Sequence, residues 1–65
     1  MYPKYDKFEE LLKKKSLTAY KVSADTGIST ATLTNWKLNR YRPKIDKIKT
    51  LADYFGVPIE YFLDE

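Results

Sequence analysis

The stretch Leu17–Lys37, LTAYKVSADTGISTATLTNWK, limits what this chain can become more than any other part of it. Two short helical patterns meet at a single glycine, Gly27. The first opens with Leu17-Thr18 and the second with Ile28-Ser29, each an apolar residue followed by a hydroxyl residue. Five positions after each apolar residue stands another, Val22 and Leu33. That is the spacing of a hydrophobic staple closing around an N-cap hydroxyl. Thr18 and Ser29 are therefore expected to accept hydrogen bonds from free N–H groups of the first turn. Gly27 falls where the chain must turn sharply, and positive φ is expected there because glycine adopts it at little cost. The pattern predicts helices over Leu17–Thr26 and Ile28–Leu38, held at a steep angle by a short turn.

Sixty-five residues allow one domain, spanning 1–65. A domain of this size buries only about 60% of the surface its unfolded chain exposes, and many need a disulfide or a metal to hold together. With no cysteine and no histidine, this chain has neither option: disulfides are excluded and a zinc finger is not expected. The core must come from helix packing, for which 43% apolar residues suffice. The N-terminal MYPKYDKFEE has no signal-peptide pattern, and the longest apolar run, Tyr54–Ile59, is far too short to span a bilayer. The expectation is a soluble cytoplasmic protein with no membrane partner.

The remaining segments also read as helices. Tyr5, Phe8, Leu11 and Leu12 mark one face of a first helix, with acids early and Lys13–Lys15 late, as the helix dipole favours. Asn39-Arg40-Tyr41-Arg42-Pro43 is a polar connection, with Asn39 a left-handed cap and Pro43 biasing Arg42 toward extended geometry. A fourth helix is predicted from about Lys44 to Phe55, its apolar face formed by Ile45, Ile48, Leu51, Ala52 and Phe55 and its end marked by Gly56. Val57-Pro58 opens a short fifth helix, whose Ile59, Phe62 and Leu63 are expected to fold back onto the core. No segment alternates at period two for long enough to suggest a strand.

On a helical wheel the third helix separates cleanly. Leu33 and Trp36 lie together and point inward, while Thr30, Ala31, Thr34, Asn35 and Leu38 lie opposite. This outward face is small, amide-bearing and almost uncharged, whereas an ordinary solvated helix carries Lys and Glu. Two helices set about a glycine turn form a helix-turn-helix, whose second helix enters the DNA major groove. Asn pairs bidentately with adenine, Thr bonds either base type, and Ala or a Thr methyl packs on the thymine methyl. Thr30, Ala31, Thr34 and Asn35 are thus candidate base contacts. Trp36 is read as core, its indole N–H reaching a carbonyl or water. Leu38 is left open between touching DNA sugars, packing on Tyr41, and neither.

Charge is distributed to match. Residues 1–49 hold all twelve Lys and Arg against five acids, a net of +7, whereas residues 50–65 hold four acids and no base, a net of −4. Lys37, Arg40, Arg42, Lys44, Lys47 and Lys49 crowd the end of the third helix, the loop after it and the start of the fourth, opposed only by Asp46. Base-reading groups in the middle and cations at the rim suit a groove binder. Tyr41, in the basic loop, is the tyrosine favoured for a phosphate contact. No carboxylates converge as a catalytic pair, so enzymatic chemistry, cofactors and small-molecule ligands are not expected.

Taken in order, Leu17-Thr18, Thr26-Gly27-Ile28-Ser29, Leu33, Trp36, Pro43, Leu51-Ala52, Phe55-Gly56-Val57 and Tyr61 make the chain resemble the Cro and phage-repressor type of helix-turn-helix protein, the XRE family. The resemblance runs from the first helix to Leu63. It implies an all-α, compact five-helix bundle with the helix-turn-helix in helices 2 and 3. It further implies a DNA-binding transcriptional regulator, a repressor that blocks polymerase by occupying a double-stranded operator as a homodimer. Carried over by position, Thr30, Ala31, Thr34 and Asn35 would face base edges. Ser29, Lys37, Arg40 and Arg42 would lie near the backbone, with Arg42 or Lys44 reaching toward the minor groove, and Thr18 and Ala19 would abut a phosphate. The chain departs from the family pattern at Ala19 and Thr30, where glutamine is common, at Leu38-Asn39, where Asn-Gly is usual, at Ser23 for alanine, and at Lys21 for a capping-box glutamate. A second reading, a protein-interaction module on the same fold (an antitoxin-like partner or an anti-repressor), rests on the acidic, aromatic tail Tyr54–Glu65.

Overall fold

The computed structural model describes residues 3–63, and among them the structure is all-helical. Five helices occur in order: α1 (Tyr5–Lys15), α2 (Ala19–Thr26), α3 (Thr30–Lys37), α4 (Ile45–Phe55) and α5 (Glu60–Leu63). α2 and α3 each begin two residues later than the expected Leu17 and Ile28. The reason lies in the caps: Thr18 and Ser29 have extended backbones, with ψ of 158° and 151°, so helical geometry starts only after them. Each hydroxyl accepts from the N–H three residues on, Thr18 from Lys21 and Ser29 from Thr32, both at 3.1 Å. The stapling residues are also in place, with Leu17 half-buried and Val22, Ile28 and Leu33 buried.

Left-handed residues end the helices. Gly27 (φ 82°) and Gly56 (φ 72°) close α2 and α4, as glycines at helix ends should. Asn39 takes φ 63° after α3, while its N–H donates to Trp36 O and that of Arg40 to Asn35 O at 2.8 Å. These paired bonds form a Schellman motif with asparagine where glycine is commonest. α1 ends the same way at Ser16, φ 56°, with Leu17 N–H donating to Leu12 O at 2.9 Å. No sequence signal marked Ser16, because serine has no special preference for this conformation.

The core joins Phe8 and Leu11 of α1, Val22 of α2, Leu33 and Trp36 of α3, Ile48, Leu51, Ala52 and Phe55 of α4, and Phe62 of α5, with Ile28 from the turn. Ile45, placed by the sequence on the same face, is 59% exposed. It heads α4 in the first turn and lies at the edge of the apolar stripe, roughly 70° from its centre at about 100° per residue. Lys44 is the N-cap of α4 rather than its first residue. α5 likewise begins later than Val57-Pro58: Pro58 and Ile59 form a turn whose carbonyls accept from Tyr61 and Phe62. Phe62 is fully buried and Ile59 packs against the core, while Leu63 is half-buried and outside the cluster.

Candidate nucleic-acid interface

α3 has only eight residues, and isolated helices that short are marginal in water. Its position comes from Trp36. The indole lies 5.2 Å from the Tyr5 ring in an edge-on contact, 5.6 Å from Phe8 and 6.4 Å from Phe62, measured between ring centroids. Its N–H donates to the Pro3 carbonyl at 3.3 Å. The inward side of α3 is thus bound to both ends of the chain through one side chain. Its outward side, Thr30, Ala31, Thr34 and Asn35, is exposed. The sequence-predicted base readers therefore share one open face of one well-anchored helix.

The predicted backbone contacts surround that face in sequence. Ser29 caps α3, and its hydroxyl lies 2.9 Å from that of Thr32. Thr18 caps α2 through an oxygen lone pair, which leaves its hydroxyl hydrogen available to an acceptor. The first-turn amides of both helices lack intrahelical partners, as at any helix N-terminus, and favour anions nearby. Lys37, Arg40, Arg42 and Lys44 are exposed along the end of α3 and the loop after it. Tyr41 is half-buried and its side chain packs against the core. Pro43 is buried and pins the loop between Arg42 and Lys44.

A surface contact between α2 and α4 that the sequence does not signal adds to the core packing of Val22. The Tyr54 hydroxyl of α4 donates to Asp25 Oδ2 of α2 at 2.6 Å, and Lys21 Nζ lies 3.4 Å from Oδ1 of the same carboxylate. The tyrosine hydrogen bond, helped by Lys21, holds the Asp25 carboxyl below its usual range, and the same bond holds the Tyr54 phenol above its own. Lys21, in the position of a capping-box glutamate, serves Asp25 instead. Nothing in the sequence paired residues 25 and 54, which are brought together only by packing. Tyr20, 77% exposed at the start of α2, and Leu38, 51% exposed at the end of α3, were likewise not assigned to the site. Wheel position alone marks Leu38.

A family model described as a helix-turn-helix domain matches residues 5–65. The chain belongs to that family, the XRE or Cro type. No curated protein and no solved structure matches it. A helix-turn-helix domain of this kind supports a DNA-binding regulator in general, and the family is typically not enzymatic. In this helix-turn-helix domain α2, Gly27 and α3 are the motif itself. Among the described residues no helix is long and apolar enough to cross a membrane, and no group of three or more carboxylate, Cys or His side chains could hold a metal.

Proposed function

We propose that residues 1–65 form a single helix-turn-helix domain that binds a double-stranded DNA operator sequence-specifically and represses transcription, a repressor of phage or mobile-element type. It acts in the cytoplasm of a bacterial cell or an infected host. The observation that carries this reading is the outward face of α3. It is exposed, small and uncharged over Thr30, Ala31, Thr34 and Asn35, with cations gathered immediately beyond it at Lys37, Arg40, Arg42 and Lys44. In this reading α3 lies in the major groove, and Thr18, Ser29, Tyr41 and the four cations meet phosphates. One small module makes few contacts, so two copies on a two-fold site supply the affinity.

Selection from random duplexes, followed by binding of two variants, tests the assignment. Asn35→Ala should cost about 1–3 kcal/mol of discrimination at one base pair and little on random DNA. Arg40→Ala should weaken all sequences alike and reduce the salt slope by about one. Equal effects of the two variants on selected and random DNA would sink the placement of α3 in the groove.

The alternative of a protein-interaction module draws on the aromatic tail, but those rings turn inward. Phe62 is fully buried, and the Tyr61 ring packs edge-on against it at 5.6 Å. The Tyr61 hydroxyl donates to Glu10 Oε1 at 3.3 Å, and Lys7 Nζ sits 5.5 Å over its ring. Among the described tail residues Phe55 and Phe62 are buried and Tyr54 and Tyr61 pack against the core, while Gly56, Pro58 and Glu60 are exposed.

A further inference from the structure

Three large apolar side chains are exposed among the described residues: Tyr20, Leu38 and Ile45. Tyr20 belongs to α2 and Ile45 to α4. Leu38 is the C-cap of α3. Its N–H still donates to Thr34 O at 3.0 Å, so it keeps helical register although it is the C-cap. At about 100° per residue it points within roughly 20° of Ala31, on the line farthest from Leu33 and Trp36.

Leu38 is half exposed, at 51%. It is absent from the core and from the residues packed against it. The apolar contact that usually accompanies a Schellman motif joins the positions held here by Asn35 and Arg40, both polar, so the cap makes no use of Leu38. Its surroundings point to a ligand that is anionic at its edges and apolar at its centre. Lys37 and Arg40 flank it in sequence, and the rest of the face carries the methyl groups of Thr30, Ala31 and Thr34, with Asn35 the sole amide. In the DNA major groove the apolar group between two rows of phosphates is the thymine 5-methyl.

We propose that Leu38 is a specificity-determining residue: with Ala31 it reads thymine through the 5-methyl group, so that the preferred half-site is recognised more by methyl packing than by hydrogen bonds. This rests on the DNA-binding reading above. Leu38 lies seven positions after Ala31, a rise of roughly 10 Å, or about three base steps along the groove. The favoured site then carries thymines about that far apart.

The experiment uses the selected duplex with each thymine replaced singly by deoxyuridine, which keeps base pairing and removes only the methyl. Binding of the wild-type chain should weaken roughly three- to five-fold at two positions, the worth of one buried methyl at each. Leu38→Ala should bind the thymine duplex more weakly by a similar factor and lose its sensitivity to deoxyuridine at one of those positions, keeping it at the other. Far-UV circular dichroism of Leu38→Ala should show unchanged helix content and melting. Indifference of the wild type to deoxyuridine overturns the proposal while leaving DNA binding intact. So does full retained sensitivity in Leu38→Ala, or a Leu38→Ala chain whose only defect is early melting or lost self-association in sedimentation. If selection returns no sequence above random DNA, the functional reading falls and this proposal falls with it.

Discussion

Replacing Trp36 by phenylalanine should loosen α3 more than any change on its outer face. Phenylalanine lacks the indole nitrogen and two of its carbons. The lost hydrogen bond to Pro3 is long at 3.3 Å and its acceptor is only half-buried, so water can replace it; its loss is worth about 0.5–1 kcal/mol. The two carbons leave a core site that is 5% exposed, at about 0.8 kcal/mol each before any cavity term. The sum is about 2–3 kcal/mol. A chain of 65 residues has roughly 3–10 kcal/mol of stability in all, and each kcal/mol moves Tm by about 4–8 °C at this size. Thermal unfolding followed by far-UV circular dichroism should therefore show a fall in Tm on the order of 10–20 °C. DNA binding at a temperature where the variant is folded should be nearly normal, because the outer face is untouched. A shift below about 4 °C would refute the claim that the Tyr5, Phe8 and Phe62 contacts and the Pro3 carbonyl hold α3 in place.

Other positions give signed expectations. Ser16→Gly should raise stability by about 0.5–1 kcal/mol in chemical denaturation, since serine at φ 56° carries a left-handed cost of about 1–2 kcal/mol, partly offset by glycine's freer unfolded chain. Gly27→Ala should lower stability by about 0.5–1.5 kcal/mol by the same arithmetic in reverse, with no clash term because nothing lies within 4 Å of the added Cβ. A loss well beyond that would mean that α2 and α3 tolerate no adjustment of the turn. The Asp25 carboxyl is held low in the folded state, so its contribution is present above its unfolded pKa and disappears as pH falls through the folded one. The Tyr54 phenol is held high, so its contribution is present below its unfolded pKa and disappears as pH rises through the folded one. The Tm difference between wild type and Tyr54→Phe should thus be flat across neutral pH and shrink on both the acid and the alkaline side. A difference that kept its neutral value through both extremes would remove the Asp25 bond as its cause.

Much of this fold was legible because the signals are local. The hydroxyl caps at Thr18 and Ser29, the staples around them and the glycines at 27 and 56 each act within five residues, and each stands where the spacing put it. The α3 face was legible for the same reason, since a wheel needs only the helix itself. What escaped prediction depends on neighbours distant in sequence. Residues 25 and 54 meet only because α2 packs on α4, and the indole of Trp36 finds the carbonyl of Pro3 only because the N-terminus crosses it. Ile45 fits the apolar period of α4 and is exposed nonetheless, because a period says which face a residue shares but not how far along the helix the core extends.

The two kinds of residue divide the labour in α3. Its inward side is fixed by long-range contacts that an eight-residue helix could not replace by its own propensity. Its outward side makes almost no contact within the chain, apart from caps at either end, and so can change without cost to the fold. That separation leaves Thr30 and Leu38, both exposed, outside the packing that holds the core and the Gly27 turn. The pair Trp36→Phe and Leu38→Ala measures the separation directly: the first should move melting and leave recognition, the second should move recognition and leave melting.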